Sequence, residues 1–299
     1  MEDQSRRVAP LPACVMHLPT RRTATGTARK LREEEIVKLM FPAFDDKTRS
    51  LPQGALTCTG AAIFNSPVFT GGQIVRRSAW PFVQQEGDIT YGSGGDRLKV
   101  VWLRTHEFSD GTFAGPLAVY RTSERFAELF ALGVHRGKPD KARLGTARMG
   151  GEVLVTVEQD GCSNRKEGSP CQTMLSVLLP RRGVLTEFMN VPVERVGYSG
   201  KNERGAMGVL EYRLTSVPDF RQDSVHLVEQ IRVQDDTGRE FRKAEHERLF
   251  TIDDNGNVVA AEPPLWDQFV KADAAPAPRA SGSTPRASGS TRSPGGRHP

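Results

Sequence analysis

The sequence predicts a mainly β protein: an antiparallel meander of roughly 8 to 12 strands closing as a barrel, a sandwich or a curved sheet, with one or two short helices. Three observations predict it. The periodicity changes to that of strands from about residue 71, with short apolar, β-branched runs recurring between polar turns. One of them, residues 209–215, puts Leu210, Tyr212 and Leu214 on one face and Glu211, Arg213 and Thr215 on the other, the period of a half-buried strand. An Asn-Gly pair, Asn255-Gly256, separates two further apolar runs, and both residue types tolerate the positive φ of a tight hairpin turn.

The chain has 299 residues, 37% hydrophobic and 26% charged, a balance that fits a soluble globular body and leaves no run near the roughly 18 apolar residues of a membrane-spanning helix. Its formal charge of +5 is a property of the ends. Residues 1–42 hold 8 Lys and Arg against 5 Asp and Glu, and residues 272–299 hold 4 against 1; of the totals of 41 and 36, residues 43–271 keep 29 and 30. A near-neutral body with basic ends predicts weak, salt-sensitive attraction to polyanions and no specific reading of nucleic acid.

Three segments follow from composition. Residues 1–28 read as a disordered basic segment, residues 29–271 as one β-rich globular domain, and residues 272–299 as a disordered tail in which PRASGST occurs twice in succession. Within the domain, residues 30–41 predict a helix, with acids at Glu33, Glu34 and Glu35 near its start and Pro42 as its stop. Strands are expected at residues 98–105, 117–121, 153–157, 174–179, 184–188, 209–215 and 225–233, and a hairpin joins 249–252 to 258–259. Two segments fit both periods. Residues 123–133 carry Phe126, Leu129 and Phe130 at helical spacing and are assigned as helix; residues 237–248 open like a capping box but lead into the hairpin, and are assigned as strand.

The chain carries no recognisable catalytic, cofactor or metal signature. Gly92, Gly94 and Gly95 precede a strand-like run and lack the Lys-Ser or Lys-Thr of a phosphate loop. Asp253, Asn255 and Asn257 begin like a calcium loop, but Val258 and Pro264 stand where its glycine and closing carboxylate belong. Gly197-Tyr198-Ser199-Gly200 lacks the glycine spacing of a nucleophile elbow. The six histidines show no paired-ligand spacing. Trp80, Trp102 and Trp266 read as core side chains.

Glu229 is the candidate buried carboxylate. In an unbroken strand over 225–233 it shares the apolar face of Leu227 and Ile231, where it must be turned out by a bulge, paired with an arginine of a neighbouring strand, or used as an acid, base or ligand anchor. Cys162 and Cys171 flank a polar loop between strand-like runs, a spacing that suits either a disulfide closing that loop or two reduced thiols. The N-terminus carries Arg6-Arg7 before VAPLPAC, too short and Pro-broken for the apolar core of a signal peptide. The sequence as written therefore points to the cytoplasm; a bonded Cys162–Cys171 pair with a different start would point outside it.

These observations favour a non-enzymatic β-rich binding or structural module, with another protein or a small apolar ligand as its partner. The competing readings are a hydrolase-like site assembled from distant residues, around Glu229 or around Glu107 and Asp110, and polyanion binding through the basic ends.

Overall fold

The computed structural model describes residues 11–19, 30–52, 54–91, 96–163, 169–199, 210–253, 258–260 and 262–274; residues 78–91, 96–97, 199 and 270–274 are described by backbone alone. A large, mostly antiparallel sheet runs through the chain without closing into a barrel.

After β1 (Cys14–His17) and helix α1 (Glu33–Met40), three meanders follow in order. The first comprises β2 (Ile74–Tyr91), β3 (Asp96–Phe108), β4 (Phe113–Thr122) and β5 (Phe126–Gly137). The second comprises β6 (Ala142–Met149), β7 (Glu152–Gln159), β8 (Cys171–Arg181) and β9 (Gly183–Ser199). The third comprises β10 (Leu210–Phe220), β11 (Ser224–Gln234), β12 (Glu240–Ile252) and β13 (Val258–Ala260), and helix α2 (Leu265–Ala274) ends the described chain.

Strand β9 joins the three. Along one edge it pairs with β8 from Val184 to Val196. Its other edge meets β5 in parallel at Gly183 and Val184, and β10 in antiparallel from Glu194 to Ser199. Strands β2 and β6 approach one another but form no ladder among the described residues, which leaves the sheet open there.

Packing turns this sheet into layers. Leu98, Val100 and Trp102 of β3, with Leu117 and Val119 of β4, meet Val153, Val155 and Val157 of β7 and Leu178 of β8 across one interior. The opposite side of the middle meander, with Leu154, Leu175, Val177 and Phe188, packs on Val225, Leu227 and Phe250 of the third. Buried on both sides, β7 and β8 have lost strict alternation, which is why Val153 to Val157 reads as a continuous apolar run. Each outer layer carries a helix. Ile36, Val37, Leu39 and Met40 of α1 cover Val101, Leu103, Ala118 and Tyr120, while Leu265 and Trp266 of α2 cover Tyr212, Leu214, Ile231 and Val233.

The expected α1 forms for the reasons its sequence suggests. The Arg32 backbone N–H donates to the Glu35 carboxylate at 2.9 Å, three acids occupy its positive end, and the chain turns away at Phe41, before Pro42. The hairpin also forms, with Phe250, Thr251 and Ile252 opposite Ala260, Val259 and Val258. Its turn, residues 254–257, lies outside the described residues. Residues 240–252 are strand, as assigned.

One expectation is overturned. The assigned helix at 123–133 is β5, paired with β4 from Thr122 opposite Ala127. Its apolar residues face two cores: Ala127, Leu129 and Leu132 look to α1, and Phe130 and Ala131 to the sheet interior. Two-sided burial and a one-residue bulge remove the period of 2 and leave a spacing that imitates a helix. Of residues 1–28, the described stretch 11–19 includes β1. Ala13 donates to Leu129, and Cys14 to His17 pair with Leu129 to Phe126, filling the edge of β5 next to β9. At the other end, α2 runs three residues past 271; residues 275–299 lie outside the described residues.

Candidate functional site

Where β3 begins and β4 ends, the first two meanders part and leave a cleft of about 940 Å³. Its floor is apolar, with Leu98, Val119, Phe130 and Val153 contributed by four different strands. Its rim holds Leu11 to Ala13, Thr59, Glu152 and the turn from Pro180 to Gly183.

Each wall has a local cause. Val119 pairs with Ala131 and the next residue, Tyr120, pairs with Leu129, so Phe130 is the extra residue of a β-bulge. The bulge turns the Phe130 ring out of the α1 side and into the cleft, with the Arg121 guanidinium 5.3 Å from the ring centre and itself paired to Glu128. On the rim, Arg181 pairs with Val184 across a two-residue hairpin turn in which Arg182 and Gly183 have φ of 47° and 81°. This is the geometry of a type I′ turn, usually built from Asn, Asp or Gly at its first central position.

The remaining rim is pinned covalently. Cys14 and Cys58 form a disulfide with their Cα atoms 6.2 Å apart, tying Ala13 and Thr59 together beside the turn. The contact is close: a Cβ added at Gly183 would lie 2.9 Å from Cβ of Ala13 and 3.9 Å from a Thr59 methyl.

Glu229, the residue singled out by sequence, lies in the third meander and does not line the cleft. It is fully buried, and both carboxylate oxygens are engaged: Arg248 Nη1 donates to one at 3.1 Å and the backbone N–H of Leu265, the first residue of α2, to the other at 2.8 Å. Arg248 Nε donates in turn to the Glu262 carbonyl at 3.0 Å. The group fastens α2 to the sheet. Cys162 and Cys171 form a disulfide, Cα atoms 5.1 Å apart, closing the 163–170 loop, and Asp160 accepts the backbone N–H groups of Cys162 and Ser163, each at 2.9 Å.

Other candidates lie apart from the cleft. The Thr112 hydroxyl and N–H hold the Asp110 carboxyl below the usual carboxylate range, and Arg136 also donates to it. Gly197 to Ser199 are strand, with Gly197 beneath the Trp266 ring and the Tyr198 hydroxyl donating to Glu211 at 3.0 Å. Trp102 and Trp266 are buried; the Trp80 side chain, the 92–95 turn and the 254–257 loop lie outside the described residues. Burial pushes His106 and His135 down to about 4, His106 with added repulsion from Arg77. His226 pairs with Glu247, and His246 Nε2 lies 2.5 Å from Glu262. Among the described residues no three His, Cys, Asp or Glu side chains are grouped to hold a metal ion, and no helix is long and apolar enough to cross a membrane.

The cleft was invisible to motif reasoning because its residues come from positions 11 to 183. One signal was available: Arg182-Gly183 between apolar runs marks a tight turn, although arginine there masks it. Comparison with known proteins finds no matching family model, no matching curated protein and no matching solved structure.

Proposed function

We propose that the protein is a non-enzymatic binding module whose site is the cleft between its first two meanders, and that it takes a small ligand with an apolar body. The observation that carries this is Phe130, turned by a bulge into an apolar-floored cleft of about 940 Å³. A cleft of that size suits a drug-sized molecule, and bulges recur where a strand must re-aim a side chain at a site. Both carboxylate oxygens of Glu229 are engaged in fastening α2, which favours binding over acid–base chemistry at that residue.

Two disulfides favour work in an oxidising compartment, since thiols in the cytosol are kept reduced. Polyanion binding through the ends would use basic residues that lie outside the described ones, and it gains no support from the cleft.

The test is fluorescence of N-phenylnaphthylamine, a neutral apolar probe that brightens on leaving water. Enhancement is expected with the wild-type protein, and its loss in Val153→Asn with circular dichroism unchanged. The control is Val217→Asn, at a valine 65% exposed on the third meander. Binding that disappears in the control and persists in Val153→Asn would assign the probe to the wrong surface and refute the proposal.

A further inference from the structure

We infer that the ligand of the cleft is an amphipathic anion, its acyl or aryl body lying against Leu98, Val119 and Phe130 and its acid head held by the Arg181-Arg182 turn. The inference rests on the reading of the cleft as a binding site and adds the chemistry of what enters it.

Charge on the rim is the first reason. Two arginines, Arg181 and Arg182, line a cleft whose floor is apolar, and among the described residues Glu152 is the one carboxylate of the lining. Such a site matches a molecule that is apolar at one end and negative at the other. Guanidinium suits a carboxylate or phosphate head because its fork of N–H donors meets two oxygens at once.

The backbone of Arg182 is the second. It occupies the left-handed region at φ 47°, where a side chain beyond Cβ is disfavoured and glycine or asparagine is ordinary. The Arg182 side chain is exposed and has no ion-pair partner among the described residues. A disfavoured conformation kept for a side chain with no ion-pair partner among the described residues is what a ligand contact would look like.

Bracing is the third. The turn cannot drift, because Gly183 packs on Ala13 and Ala13 precedes the Cys14–Cys58 disulfide. A charge carried on a fixed backbone loses less freedom when it meets its partner.

Displacement of N-phenylnaphthylamine by decanoate, decanol and decyltrimethylammonium tests the inference, because the three share one chain and differ in head charge. In the wild-type protein decanoate is expected to displace the probe at a concentration about tenfold lower than decanol, with the cation weakest. The Arg181→Gln/Arg182→Gln variant should bring decanoate and decanol to parity, each displacement being read relative to that variant's own probe affinity. Arg182→Gly separates ligand contact from turn structure: it should lower the decanoate preference and raise the melting temperature, since glycine adopts the turn without strain. Equal displacement by decanoate and decanol in the wild type overturns the inference and leaves the cleft reading standing, as does a preference that survives both variants. Failure of the neutral probe to bind the wild type overturns the cleft reading itself, and the inference with it.

Discussion

Glu229 and Arg248 are a carboxylate and a guanidinium taken out of water together, 0% and 6% exposed. Desolvating two charges is costly, and the pair is tolerated because both Glu229 oxygens and two Arg248 nitrogens are engaged in charge-assisted hydrogen bonds. Removing one partner strands the other. Glu229→Ala should therefore lower unfolding stability by about 3 to 5 kcal/mol, read from urea midpoints, whereas Glu229→Leu/Arg248→Met should recover a large part of the loss. A single variant as stable as the wild type would mean that Arg248 reaches water when its partner is gone. Alternation over 225–233 was enough to place Glu229 on the buried face, since Val225, Leu227, Ile231 and Val233 share it. Its partners were not legible: Arg248 is brought near by the register of β12, where it sits opposite Leu227, and Leu265 by the docking of α2.

At the scale of elements, the segments before β2 and after β13 are attached by different means. The Cys14–Cys58 bond closes a loop of 44 residues and the Cys162–Cys171 bond one of 9. Loop-closure entropy then predicts losses of about 4 and about 2.5 kcal/mol for the two serine double variants, so the long-loop variant should unfold at lower denaturant. It should also weaken probe binding, because Ala13 and Thr59 would no longer be tied at the cleft rim. Helix α2 is held noncovalently, with Trp266 seated on Gly197 and the Arg195 guanidinium 4.3 Å from its ring centre. A Cβ at Gly197 would come within 3.0 Å of that ring, so Gly197→Leu should displace α2, measured as faster proteolysis near residue 265 with the body intact. Strand β5 shows why such elements can be misread: Phe126, Leu129 and Phe130 look helical until β4 supplies the bulge between Leu129 and Ala131.

Across the whole molecule, acid should act through buried histidines before it acts through carboxylates. His106 and His135 are held down to about 4 from 6.5 by burial, so between those values the unfolded chain binds protons that the folded chain refuses. Stability should fall as pH drops from about 6.5 towards 4, seen as a falling melting temperature, and His135→Gln should flatten that slope. Asp45, Asp110 and Asp235, lowered by local hydrogen bonds, contribute stability that is fully present above the ordinary carboxylate range and is lost only as pH falls through and below it. The sequence by itself determined the β-rich class, α1 with its acidic start and proline stop, the β12–β13 hairpin and the neutrality of the body. Each of these is written within a few residues, as a period, a cap, a turn or a charge count. The tertiary structure alone decided that β9 shares its edges among three meanders, that the middle meander is buried on both sides, that Cys14 meets Cys58, and that Phe130 and Arg182 face one cleft. Those depend on contacts between segments far apart in the chain, and local periodicity records which face of a strand is buried without recording what buries it.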